Sequence, residues 1–112
     1  MIYLAIALFA VSAALGLVIL IKWLTKKDAP KAVVYSHGII AALALVLLIG
    51  YAIQHPDHFP LISIVIFAVA AIGGFYMFIR SLNNKTSPLI IAFVHALLAL
   101  SGFISLLLYV FA

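Results

Sequence analysis

The stretch VVYSHGIIAALAL, residues 33–45, sets a histidine inside a run that otherwise reads as unbroken apolar helix. The stretch IIAFVHALLALSG, residues 90–102, does the same with His95, and 58 positions separate His37 from His95. An ionisable ring at membrane depth is costly, and it marks a functional position by default. The surrounding chain decides whether these runs are membrane spans.

Of the 112 residues, 70% are hydrophobic and 7% charged, too few polar groups to clothe a water-soluble domain of this length. Four runs are long enough to span: 2–21, 32–53, 61–79 and 89–112. A helix crossing the hydrocarbon core needs about 20 residues at about 1.5 Å each. Short connections at 22–31, 54–60 and 80–88 force antiparallel neighbours. The expected fold is therefore all-α, an integral membrane up-down four-helix bundle forming a single domain over 1–112. With no cysteine, disulfides, thiolate metal sites and dithiol redox chemistry are excluded.

All six basic residues (Lys22, Lys26, Lys27, Lys31, Arg80 and Lys85) fall in or beside the first and third connections. The second connection holds Asp57 and no Lys or Arg. The positive-inside rule places loops 22–31 and 80–88 in the cytoplasm and both termini outside, as in a bacterial inner membrane. The net charge of +4 then reads as topology and contact with anionic lipid, with no nucleic-acid role. The first run carries its positive charge after the apolar stretch, unlike a cleavable signal, so it is expected to persist as a helix.

Shifting the chain by 58 aligns 6–51 with 64–109 without a gap, at fourteen identical positions. The most informative are Gly16/Gly74, Lys27/Lys85, Pro30/Pro88, His37/His95 and Tyr51/Tyr109. The expected architecture is two parallel two-helix repeats, 1–58 and 59–112, related by a pseudo-two-fold along the membrane normal. His37 lies six residues past Lys31, about 9 Å inward from the basic boundary, and His95 a similar depth past Pro88. Gly16 and Gly74 fall at the same level. Steps of three and four along the histidine faces read His37, Ala41, Ala44, Leu48, Tyr51 and His95, Ala99, Gly102, Leu106, Tyr109.

Two facing imidazoles are the axial ligand set of a b-type haem. Gly16, Gly74, Ala41, Ala99 and Gly102 offer room for a flat macrocycle, and Lys22, Lys27, Lys31, Arg80 and Lys85 stand where anionic propionates would emerge. The expectation is one haem b, with His37 and His95 on the iron, near the cytoplasmic face. It implies one-electron transfer with a quinone or a membrane redox partner; whether this amounts to an enzyme is open, as is homo-oligomerisation. The alternative is a cofactor-free transporter or accessory subunit whose histidines are polar contacts between helices. A proton relay is disfavoured because no span holds a carboxylate, and a zinc site because two histidines are a thin ligand set. In the loop QHPDHFP, His55, Asp57 and His58 could form a small metal site, although a polar turn at a helix end explains them more simply. Tyr51 and Tyr109 read as interface anchors, as does Trp23 at the other end.

The paired histidines and their accompanying glycines, His37, His95, Gly16 and Gly74, resemble the four-helix core of the cytochrome b561 family. That resemblance implies histidine-ligated haem between antiparallel helices and transmembrane electron transfer. A two-haem member carries a second histidine about four turns further along each ligand helix; here those positions are Tyr51 and Tyr109. The second haem is not carried over. The likeness to small multidrug transporters is in size alone, since their essential first-helix glutamate has no counterpart.

Overall fold

The computed structural model describes residues 1–112 and contains four helices and no strand: α1 (Ile2–Leu24), α2 (Lys31–Gln54), α3 (Leu61–Leu82) and α4 (Leu89–Phe111). All four are long and apolar enough to cross a membrane. The first three outrun their apolar runs by up to three residues at an end. The extra turns carry Lys22, Lys31 and Arg80, long basic side chains suited to the boundary between lipid and water.

Each helix packs on its neighbours in the order α1–α2–α3–α4, and α4 closes the ring against α1. The bundle measures 45 × 20 × 19 Å. Its outer surface is covered by large apolar side chains such as Ile39, Ile53 and Ile72, the last 72% exposed. A chain displaying such side chains on every face belongs in a bilayer, where acyl chains cover them and each helix satisfies its own backbone.

The core is narrow. Fifteen residues are buried, and fourteen of them form seven pairs separated by 58: Ile2/Pro60, Ala5/Ser63, Phe9/Phe67, Ser12/Ala70, Ile19/Met77, Ala44/Gly102 and Leu48/Leu106. Ala92 alone lacks a counterpart in the buried set. Diagonally opposed helices meet through aromatic rings. Phe9 and Phe67 stack across the axis at 4.0 Å with planes 5° apart. Their contact closes the bundle about 10 Å beyond the level of Gly16 and Gly74.

The two basic connections fold alike. Lys26 and Asn84 take φ of 58° and 57°. The N–H of Lys27 donates to the Lys22 carbonyl at 2.7 Å and that of Lys85 to the Arg80 carbonyl at 2.9 Å. This is the six-to-one bond that finishes a helix through a left-handed residue. Pro30 and Pro88 then open α2 and α4 with matching φ of −56° and −57°.

Candidate functional site

Four residues below Gly16 on α1 stands Ser12, and four below Gly74 on α3 stands Ala70, so each carbonyl lies on its glycine's face. The backbone oxygen of Ser12 receives His37 Nδ1 at 2.7 Å, and that of Ala70 receives His95 Nδ1 at 2.8 Å. A carbonyl only accepts, so Nδ1 carries the proton in both rings. Nε2 is left as an unprotonated lone pair without a hydrogen bond, the form in which imidazole binds a metal.

The glycines make this approach possible. A methyl group on Gly16 would lie 2.8 Å from Cε1 of His37, and one on Gly74 would lie 2.9 Å from Cε1 of His95. Each ring therefore rests on bare backbone of the preceding helix. The two rings meet across the α2–α4 diagonal with centroids 6.2 Å apart and planes at 80°. The expected layer of both histidines and both glycines is thus present, but the room at Gly16 and Gly74 is taken up by the imidazoles themselves and not left for a flat macrocycle.

Beyond the carbonyl bond, the two histidines differ in their surroundings. Ser12 Oγ lies 3.1 Å from His37 Nδ1 and donates to the His37 carbonyl at 3.1 Å. Ala70, at the equivalent place, has no hydroxyl. Beside His95 a cleft of about 160 Å³ opens between α3 and α4, lined by Ala70, Gly73, Val94 and Leu98 among others. The residue matching Gly73 in the first half is Leu15. A leucine thus stands at the position whose lack of a side chain opens the cleft at His95.

The other expected residues divide. Ala41 and Ala99 are half-buried one turn along from the histidines. Gly102 does not provide room for a plane: a Cβ there would lie 3.1 Å from the Phe67 ring, so the glycine accommodates that stack. Lys27 and Lys85 are exposed in the loops, and Lys31 is exposed at the start of α2. Arg80 is tied to its own loop by donating to the Thr86 carbonyl at 2.6 and 3.1 Å, and it lies 5.9 Å from the Tyr76 ring centroid.

In the far loop, His55, Asp57 and His58 do not gather as a metal-ligand cluster. His55 Nδ1 donates to the Tyr51 carbonyl at 3.0 Å, and its ring stacks on Tyr51 at 4.1 Å. His58 Nδ1 donates to the Tyr109 hydroxyl at 2.5 Å, which donates in turn to the His58 carbonyl at 3.0 Å. The tyrosines thus anchor the loop to the helix ends.

Sequence reasoning missed Ser12, Ala70 and Gly73. The spacing of four from each glycine was a usable signal for the first two; Gly73 shows only when it is set against Leu15.

The geometry defines a membrane four-helix bundle with two imidazoles close together across its α2–α4 diagonal. No family model, curated relative or solved structure matches the chain.

Proposed function

We propose that the chain holds one haem b between His37 and His95 and serves one-electron transfer in the membrane. The supporting observation is a ligand set of two. No group of three or more His, Cys, Asp or Glu side chains comes together here, so a metal needing four protein ligands finds no site. An iron that brings four equatorial nitrogens of its own needs two. The two rings stand 6.2 Å apart across the α2–α4 diagonal, near enough for one guest to engage both.

His37 and His95 would hold the haem, which would supply a one-electron couple suited to electron transfer. The chain's residues do the remainder. The carbonyls of Ser12 and Ala70 fix the tautomer, aim the rings and raise the basicity of Nε2. Gly16 and Gly74 let the rings lie against the helices, and Ala41 and Ala99 keep side chains short beside them. Lys27, Arg80 and Lys85 would offset anionic propionates at the basic end, which we read as cytoplasmic. The spacing of 58 through the core supports descent from a duplicated two-helix unit, and the paired ligands keep the likeness to the cytochrome b561 core. A quinol or a membrane redox protein is the donor class this implies.

A second reading draws on the same hydrogen bonds: each imidazole clamps two helices, as a cofactor-free transporter or accessory subunit would use it. Absorption spectra separate the two. Protein purified from haem-replete cells should show a Soret band that shifts on reduction, lost or strongly altered in His37→Ala and His95→Ala. A colourless protein that also refuses added hemin overturns the haem reading.

A further inference from the structure

At the basic end, a notch of about 40 Å³ lies between the first turn of α2 and the last turn of α3. Lys31, Tyr35 and Ser81 give it three hydrogen-bond donors, with Val34 and Leu82 as its apolar wall. No carboxylate lines it. Phe78 of α3 meets Tyr35 edge-on, with centroids at 5.7 Å, and steadies the phenol at the seam.

The bundle contains a comparison for this seam. Shifted by 58, Lys31, Tyr35 and Ser81 correspond to Leu89, Phe93 and Trp23 at the α4–α1 seam. The equivalent backbone positions there carry no cation and no hydroxyl, only the single indole N–H of Trp23, while this seam has a cation and two hydroxyls. General solubility at a membrane boundary would not distinguish two equivalent seams. One turn further along α2, the place a side chain would occupy at Gly38 is open, with nothing within 4 Å of it. A polar notch at headgroup level thus runs on to a bare strip of helix at acyl-chain level.

We infer that Lys31, Tyr35 and Ser81 form a binding site for the phosphodiester headgroup of an anionic phospholipid, with one acyl chain lying over Gly38. The ammonium meets the phosphate charge, and the two hydroxyls donate to its free oxygens. The site is independent of the histidine layer. It engages Lys31, leaving Lys27, Arg80 and Lys85 to any anionic cofactor edge at this end.

The test uses the full-length protein purified in neutral detergent, with thermal unfolding and co-purified lipid measured together. Added phosphatidylglycerol should raise the Tm clearly more than phosphatidylcholine or inorganic phosphate at equal ionic strength. Lys31→Gln should weaken phosphatidylglycerol binding about fivefold, as expected for one cation at an anionic surface. Tyr35→Phe with Ser81→Ala should weaken it further. Lys26→Gln removes the same charge elsewhere and should leave binding nearly intact. These exposed positions tolerate such changes, and lipid retention is read even if a variant melts early. Equal loss in Lys26→Gln would show diffuse charge attraction and overturn the site. Equal protection by phosphatidylcholine would overturn it as well, and protection by phosphate alone would make it a free-anion site.

Discussion

His37 and His95 occupy matching positions on one backbone plan yet live in different surroundings. His37 is held by the Ser12 carbonyl and approached by its hydroxyl. His95 has the Ala70 carbonyl alone and stands beside the cleft at Gly73. What both halves retain is the glycine beneath the ring, the carbonyl on Nδ1 and the free Nε2. What they let vary is the tightness of the second contact. The retained features define ring orientation, and the varied ones set how closely each ring is surrounded.

The largest expected effect attacks what the halves share. Gly16→Val and Gly74→Val should each push the imidazole off its carbonyl and cost about 1–3 kcal/mol, measured by unfolding in mixed micelles. Comparable losses would support equivalent packing; a tolerated Gly16→Val would break it. A smaller effect comes from exchanging the difference. Ser12→Ala should cost about 1 kcal/mol, in the range of polar contacts within membrane bundles. Ala70→Ser should recover part of that stability if it supplies His95 with the missing hydroxyl contact.

The cleft offers a chemical readout. In protein without cofactor, diethyl pyrocarbonate should modify His95 faster than His37, as resolved by mass spectrometry. Gly73→Leu should slow His95 toward the rate of His37, and an unchanged ratio would detach the cleft from the asymmetry. The smallest effect lies in the turns. Lys26 holds a left-handed φ that glycine adopts without strain, so Lys26→Gly should add about 0.5–1 kcal/mol. Asn84 tolerates that region better, so Asn84→Gly should add less; equal gains would show that the two turns are strained alike.

Much of this was legible in the sequence for identifiable reasons. Four apolar runs of spanning length have one solution in lipid, because every backbone group must bond within its own helix. That His37, His95, Gly16 and Gly74 share one layer followed from helical rise and the spacing of 58. The partners of Nδ1 were harder to see, because backbone carbonyls are present at every residue and only packing selects Ser12 and Ala70. Gly102 misled for the opposite reason: a small residue on the histidine face signals close approach without saying of what, and the approaching group is Phe67. Phe9 and Phe67 were visible as a repeated pair, but their contact depends on how the helices are rotated.

The geometry of the rings gives the most direct test of the haem assignment. Full-length protein reconstituted with hemin should take up one equivalent per chain. Its ferric electron paramagnetic resonance spectrum should then be low-spin, as two imidazole ligands on the iron would make it, and highly anisotropic where the 80° between the His37 and His95 planes is kept on binding. A high-spin ferric signal, or equal uptake by a variant lacking both histidines, would contradict it.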